Sequence, residues 1–253
     1  MAEARAYETL LAAWFVIATI SALVLWFIPA PYGRHARRGW GPSIPSTAGW
    51  IVMEAPSAIV MAALWVAGPR RNDPAAIALA TLWIGHYFYR SFVFPLTRAG
   101  RGRPMPLAIP VLASVFNVGN AYLNGRWLFA LGPERGAAWL SDPRFVIGVS
   151  LFGAGFATHL RADAILARLR QPGETGYKIP HGFLFDEVSC PNYFGELVEW
   201  AGWALAAWSL AGVSFAFWTA ANLVPRAVAH HRWYRETFPG YPIRRRAIIP
   251  RVL

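Results

Sequence analysis

The chain has 253 residues, of which 56% are hydrophobic and 15% charged, and its mean hydropathy of +0.33 excludes an ordinary soluble domain. Its net charge of +11 could serve nucleic-acid binding, but beside long uncharged windows it indicates membrane orientation and an anionic ligand, so we expect no nucleic acid. A single cysteine, Cys190, excludes a framework of intrachain disulfides and a cysteine-ligated metal cluster.

The first half of the chain contains four long windows with almost no charge. A membrane-spanning helix needs roughly 20 predominantly apolar residues, so each window qualifies as a span. The first window is too long for the core of a signal peptide and follows no basic segment, which predicts an uncleaved span. The windows are residues 9–33 and 104–125, which carry no charge, and residues 39–69 and 74–97, whose single charges are Glu54 and Arg90.

The second half predicts the remaining spans. Residues 145–160 form a shorter apolar segment, so a span there must continue into the polar sequence that follows. Residues 193–232 are almost wholly apolar after Glu199. They form either one very long helix or two spans with a tight turn near Ala211-Gly212.

The distribution of basic residues decides between these two possibilities. With seven spans, 17 basic residues fall on one side and 6 on the other, and the positive-inside rule makes the richer side cytoplasmic. With six spans, the basic tail and the basic segment 161–178 would lie on opposite sides of the membrane. We therefore predict an all-α integral membrane protein with seven transmembrane helices, an external N-terminus and a cytoplasmic C-terminus. No linker or internal repeat divides residues 1–253, which predicts a single membrane-embedded domain.

Glu54 is the first candidate for chemistry, because it lies in an otherwise uncharged span. A carboxylate in hydrocarbon is costly and usually faces a cavity or a partner. Burial also favours its neutral form, which could donate a hydrogen bond. The alternative is a structural ion pair with Arg90 on the third span.

The third span contains the run His86-Tyr-Phe-Tyr-Arg90. Tyr87 and Arg90 are about one helical turn apart and share a face. A buried Tyr87 hydroxyl beside a protonated Glu54 would form a site with two donors for an oxyanion. The alternative is an aromatic belt at the membrane interface.

The segment 159–196 is rich in arginine, asparagine, tyrosine and acidic side chains, more than topology requires. This mixture suits a nucleotide, with arginine for phosphate and acids for ribose or base groups. The alternative is a basic loop that contacts anionic lipid head groups.

Two other matches are too incomplete to indicate a cofactor. Gly153-Ala-Gly155 lacks the third glycine and the preceding strand of a dinucleotide fingerprint, so it predicts close helix packing instead. His230-His231 resembles part of a membrane di-iron site, but one pair among six scattered histidines cannot ligate two metals. We therefore expect no metal.

Together these motifs resemble those of the steroid 5α-reductase family (3-oxo-5α-steroid 4-dehydrogenases). Among its members, they are similar to the motifs of the human type 2 enzyme. Enoyl reductases, polyprenol reductases and isoprenylcysteine methyltransferases share parts of the C-terminal motifs. Glu54 and the run from His86 to Arg90 distinguish the sequence from those families. The matching words are residues 32–35, 54–57, 86–90, 102–104, 169–174, 177–182, 184–189, 191–196, 199–200, 215–217, 230–234 and 241–250.

The resemblance implies NADPH-dependent reduction of the Δ4 double bond of a 3-oxo-Δ4 steroid. Hydride would go to C5, and Glu54 and Tyr87 would hold the 3-oxo group as the catalytic and substrate-binding pair. Residues 1–131, the first four helices, would form the substrate side, and residues 144–253, the last three helices and cytoplasmic loops, the NADPH site. The implied cofactor contacts are Arg103, Asp163, Arg170, Tyr177, Asn192, Glu196, Arg226, His230, Tyr234 and Arg245. The implied apolar pocket is lined by Trp50, Trp200, Phe215 and Trp218.

Three positions depart from the family pattern. Met53 stands where the human type 2 enzyme has glutamine, which removes one polar contact to the substrate. His159 and Arg161 replace asparagine and histidine beside Asp163, which puts the contacts at the adenine end in doubt.

Other functions remain as alternatives from the sequence. One is an isoprenylcysteine-type methyltransferase that uses S-adenosylmethionine, another a reductase of an enoyl lipid or polyprenol, and a third a transporter, although transporters commonly show repeat symmetry. The 23 arginines against one lysine are typical of a GC-rich bacterial genome. We expect a monomeric bacterial homologue in the inner membrane; a eukaryotic one would lie in the endoplasmic reticulum membrane.

Overall fold

Seven long helices and one single-turn helix form most of the chain in the computed structural model, which describes residues 2–31, 33–35, 37, 39–97, 104–169, 174 and 176–253. The helical prediction is confirmed, apart from a two-residue antiparallel strand pair, β1 (Ser43–Ile44) with β2 (Met105–Pro106). The helices are α1 (Ala2–Phe27), α2 (Ser46–Ala67), α3 (Pro74–Phe88), α4 (Phe94–Thr97), α5 (Ala108–Arg126), α6 (Pro143–Arg168), α7 (Pro191–Ala207) and α8 (Leu210–Thr237).

Shorter helical turns complete the secondary structure of this part of the chain. A π-helical segment, Tyr89–Val93, joins α3 to α4, and a second one, Trp127–Leu131, extends α5. Turns of 3₁₀ helix lie at Gly33–His35, Ala137–Ser141 and Phe183–Asp186.

By length and composition, α1, α2 and α6 are apolar enough to cross a bilayer. These helices make the chain a membrane protein by the usual criterion of span length. The count of seven spans and the placement of the termini stay predictions.

The apolar stretch 193–232 is divided into two helices, as the charge distribution predicts. The break falls at Trp208-Ser209, just before the expected Ala211-Gly212. Trp208 adopts a left-handed conformation, with φ of 41°. The Ser209 side chain then accepts a hydrogen bond from the Gly212 amide at 3.0 Å and caps α8.

Helices α6 and α7 pack backbone against backbone through small residues. Gly148 and Gly155 on α6 face Gly202 and Gly195 on α7. A methyl group on Gly155 would lie 2.6 Å from the Gly195 carbonyl oxygen, so only glycine fits there. The packing role predicted for Gly153-Ala-Gly155 thus belongs to Gly155, because nothing lies within 4 Å of a methyl group built on Gly153.

The core between these helices is aromatic. Trp83 on α3 is fully buried, with its ring centroid 4.9 Å from Trp203 and 5.4 Å from Trp200, both on α7. Helix α1 adds a second cluster, in which the Trp218 indole of α8 donates to the Trp14 carbonyl oxygen at 3.0 Å. The polar side chains described next lie beside this core.

Candidate active site

Glu54 lies on α2, with its side chain 12% exposed. The Arg90 guanidinium is 3.5 Å from its Oε1 atom, and the Asn117 side-chain amide of α5 is 3.3 Å from its Oε2 atom. Arg90 therefore lies in the position required by the ion pair that the sequence offered as an alternative. Its distance exceeds the roughly 2.7–2.9 Å of a tight charge-assisted hydrogen bond, so the contact is loose.

Arg90 occupies the π-helical segment that follows α3. Such single-turn π segments occur frequently at functional sites. The Arg90 guanidinium lies over the rings of Trp50, at 4.6 Å, and Phe94, at 4.9 Å. Its Nη1 atom is 3.5 Å from Nε2 of His159 on α6. Arg90 therefore joins the predicted substrate residues to the second half of the chain.

Glu54, Arg90 and His159 form a line of polar side chains. His159 extends this line toward the predicted cofactor residues. Its ring is fully buried, and Nε2 lies 3.2 Å from the Asp163 carboxylate and 3.8 Å from that of Glu196. Asp163 in turn accepts from the Asn192 side-chain amide at 3.5 Å. His159, expected to affect the adenine end, thus stands beside Arg90, whereas Arg161 is exposed and lies over the ring of Phe183 at 4.4 Å.

A buried His86–Glu199 pair lies next to this line and was not among the predicted site residues. The two side chains meet at 2.6 Å, and both are buried. Glu199 carried the same sequence signal as Glu54, an acid bordering a long uncharged stretch. By residue type and spacing, His86, His159 and Glu199 could hold a divalent cation, since their ligand atoms lie within 4.8 Å of one another. The expected absence of a metal stays a prediction.

Tyr87 and the predicted pocket residues lie against the aromatic core. The Tyr87 ring is buried and lies 5.3 Å from that of Trp83 and 5.1 Å from that of His86. Trp200 and Phe215 pack with ring centroids 4.1 Å apart. Trp218 belongs instead to the neighbouring cluster with α1, where it packs on Phe116.

The C-terminal end of α8 meets the loop after α1 in a second group of polar and aromatic residues. His230 lies 3.0 Å from His35 and 3.2 Å from the Tyr193 hydroxyl. The guanidinium of Arg34 lies over the Tyr234 ring at 4.5 Å and donates to its hydroxyl at 3.3 Å. Burial, and then the positive charge of Arg34, lower the pKa of His35 below its usual value.

The remaining predicted cofactor residues are placed as follows. The Tyr177 ring packs edge-on against Trp233 at 5.1 Å, and Arg226 lies over the Tyr193 ring at 5.5 Å. Arg245 is buried and donates to the Pro180 carbonyl oxygen at 3.0 Å. Arg103 and Arg170 lie outside the described residues.

The two adjacent histidines, His230 and His231, have different partners. His231 contacts the Ser189 hydroxyl at 2.6 Å, whereas His230 faces His35 and Tyr193. Nothing in the sequence indicated the partnership of His35 with His230, because 195 residues separate them.

Comparison with known proteins decides the family. The family model described as 3-oxo-5-alpha-steroid 4-dehydrogenase matches residues 103–253, more than half of the chain. The chain belongs to the steroid 5α-reductase family. It is similar to the cotton (Gossypium hirsutum) protein "Steroid 5-alpha-reductase DET2", with 40% identity over 240 residues and 93% of each chain covered.

Mammalian members of the family match equally well. The bovine (Bos taurus) 3-oxo-5-alpha-steroid 4-dehydrogenase 1 is 42% identical over 240 residues, covering 92% of each chain. The human (Homo sapiens) protein of the same name is 42% identical over 221 residues, covering 87% of this chain and 85% of its own. This steroid 5α-reductase family member is thus an oxidoreductase that acts on a CH–CH group, which decides against the methyltransferase alternative.

Proposed function

We propose that this chain reduces the Δ4 double bond of a 3-oxo-Δ4 steroid to the 5α-reduced product, with NADPH as reductant. The names of its relatives specify steroid 5α-reduction. The observation that carries the proposal is the line of side chains from Glu54 through Arg90 and His159 to Asp163. It joins the residues assigned to the substrate to those assigned to the cofactor within one buried site.

The group around His230 suits an anionic dinucleotide. Nη1 of Arg34 is buried without a hydrogen-bond partner among the described residues, and Arg34 and Arg226 lie against aromatic rings. Cationic donors beside aromatic rings are the groups that bind phosphates and stack on a planar base. We propose that NADPH, which supplies the hydride when bound, is held by Arg103, Asp163, Arg170, Tyr177, Asn192, Glu196, Arg226, His230, Tyr234 and Arg245.

Tyr87 and Glu54 would stabilise the negative charge that develops on the substrate during the reaction. When C5 of the enone is reduced, negative charge develops on the 3-oxygen of the steroid. The Tyr87 hydroxyl and a neutral Glu54 carboxylic acid would donate hydrogen bonds to that oxygen, and losing one such donor costs roughly 2.7–4 kcal/mol in other enzymes. Trp50, Trp200, Phe215 and Trp218 would line the steroid site and exclude water. Since Trp200 and Phe215 now touch, a flat substrate between them requires their rings to separate.

The arrangement in the membrane belongs to the same proposal. Seven spans would place the N-terminus outside and the C-terminus in the cytoplasm. Residues 1–131 would face the substrate and residues 144–253 the cofactor, in one monomeric domain of a bacterial inner membrane or, in a eukaryote, of the endoplasmic reticulum.

The cofactor assignment is tested by binding of NADPH and NADH to the purified protein. We expect NADPH to bind more tightly, because the basic cluster would contact its additional 2′-phosphate. Arg170→Ala should weaken NADPH binding far more than NADH binding, whereas the matched control Arg168→Ala, at the exposed end of α6, should leave the preference intact. Equal affinity of the unmodified protein for both cofactors would contradict the assignment.

The catalytic assignment is tested with steroid turnover by Glu54 and Tyr87 variants. If Glu54 acts as a neutral donor, Glu54→Gln keeps an N–H group and should retain more activity than Glu54→Ala. If Glu54 is instead ionised against Arg90, both variants should lose roughly 3–5 kcal/mol of stability, because a buried charge is left unpaired. Tyr87→Phe should lower kcat and leave NADPH affinity unchanged.

The control for the Glu54 variants is Glu3→Ala. It removes an exposed ion pair between Glu3, at the start of α1, and Arg126. It should leave turnover unchanged. Wild-type rates of steroid reduction in both Glu54→Ala and Tyr87→Phe would remove these residues from the mechanism.

A further inference from the structure

Asn117 on α5 contacts Glu54 from the side opposite to Arg90. Its side chain is buried, at 4% exposure. Its Nδ2 atom lies 2.5 Å from the Met53 carbonyl oxygen and 3.3 Å from Oε2 of Glu54. One amide group thus bridges two consecutive residues of α2.

Pro56, inside α2, lies one helical turn beyond this contact. Proline has no N–H group, so the carbonyl of Val52, four residues earlier, lacks its helical partner. The Ser114 hydroxyl on α5 lies 2.8 Å from that carbonyl and 2.7 Å from the Pro110 carbonyl of its own helix, so its single proton is shared between the two. Asn117, three residues further along α5, then reaches the next carbonyl, that of Met53. The proline therefore lets α5 bind the backbone of α2 at the turn that carries Glu54.

The orientation of the Asn117 amide follows from its neighbours. The nitrogen and oxygen of an amide side chain are assigned from hydrogen bonding. The Met53 carbonyl can only accept, so the atom facing it must be the NH₂ group. The second N–H of the same group faces Glu54, and the oxygen that it meets, Oε2, must accept.

We propose that Asn117 is a positioning residue that fixes the orientation of the Glu54 carboxyl group. By donating to Oε2 at 3.3 Å, it holds that oxygen against α5 and turns Oε1 toward the side of Arg90, which lies 3.5 Å from it. Oε1 would then face the substrate oxygen, so the inference rests on the proposed function and deepens it.

The other groups around Glu54 explain why a neutral amide is needed. The π segment brings the positive Arg90, and α3 brings the Tyr87 hydroxyl. Behind Arg90 stand His159 of α6 and Glu196 of α7. A carboxylate in place of Asn117 would repel an ionised Glu54 and compete with it for Arg90, and an apolar side chain would leave Oε2 of Glu54 without this donor.

The test compares Asn117→Leu with Ser114→Ala in steroid turnover. Both variants remove a hydrogen bond from α5 to α2, but only Asn117 touches Glu54. We expect Asn117→Leu to lower kcat about 10- to 100-fold through misplacement of the acid, with NADPH affinity unchanged. Ser114→Ala should keep kcat near wild type. In the Glu54→Ala background, Asn117→Leu should cause no further loss, because Asn117 acts through Glu54.

Infrared spectroscopy separates this inference from the proposed function, because it requires no substrate. A protonated carboxyl has its own C=O stretching band, which should vanish in Glu54→Gln and shift to higher frequency in Asn117→Leu. A Glu54 acid band that keeps its frequency in Asn117→Leu would overturn the inference alone. A band that behaves as expected in a protein that reduces no steroid would overturn the proposed function.

Discussion

Gly155 and Gly153 on α6 provide a matched test of how α6 and α7 are held together. They lie two residues apart in one helix, so alanine gains the same helix propensity at either position, about 1 kcal/mol. At Gly153 the added methyl group meets nothing within 4 Å. At Gly155 it would meet the α7 backbone, including the Gly195 carbonyl oxygen at 2.6 Å and the Glu199 Cα at 2.7 Å.

The size of the effect follows from these distances. Ordinary van der Waals contact begins at 3.4 Å, so the methyl group at Gly155 would stand about 0.8 Å too close to the carbonyl oxygen (3.4 minus 2.6). Overpacking of this kind costs about 1–3 kcal/mol. We expect the upper part of that range, because a helix backbone cannot turn aside as a flexible side chain can. The displaced helix also carries Glu199, so the His86–Glu199 contact should loosen.

The measurement is the midpoint of thermal unfolding of both variants in the same detergent, with steroid turnover measured in parallel. Gly153→Ala should be as stable as wild type or slightly more so, and fully active. Gly155→Ala should unfold at lower temperature and lose activity. Equal stability of the two variants would refute the account of the α6–α7 contact.

Three further predictions concern other parts of the molecule. Asp73→Ala should destabilise the protein by about 0.5–2 kcal/mol in thermal unfolding, since the carboxylate caps α3 through the Ala75 amide and also accepts from the Arg135 amide, each at 2.9 Å; Asp73→Asn should lose less. Folding lowers the pKa of His35 below its usual 6.5, so as pH falls the unfolded chain takes up a proton before the folded chain does. The free energy of unfolding should therefore be highest above about pH 6.5 and decline as pH falls. His35→Gln should flatten that decline in melting curves recorded from pH 8 to pH 5, and an unchanged slope would contradict the assignment. A reporter fused after Leu253 should read out as cytoplasmic, and an external signal would rule out the seven-span topology.

The positions of the helices could be predicted closely from hydropathy and charge. Residues 74–97 predict one span, and the structure forms α3, a π turn and α4 over that stretch. The π turn itself has no signal in the sequence, because an extra residue in one helical turn leaves the apolar composition unchanged. It nevertheless places Arg90 between Glu54 and His159.

The candidate site likewise contains residues that the sequence indicates and residues that only the structure reveals. Glu54 could be selected from the sequence because a lone carboxylate in an apolar span is costly and demands a reason. Asn117 could not be selected, since an uncharged amide in a span has no comparable cost and three asparagines occur on α5. Its importance depends on the contact with Glu54, which is 63 residues away.

The sequence by itself therefore determined the membrane class, the helical elements and the family, because hydropathy, charge and motif words are properties of the linear chain. The tertiary structure alone decided which polar groups meet. His35 reaches His230, and His159 reaches Arg90, only through the rotation and crossing of whole helices. Those are set by packing contacts such as Gly155 against Gly195, where the space left between two backbones fixes which side chains face each other.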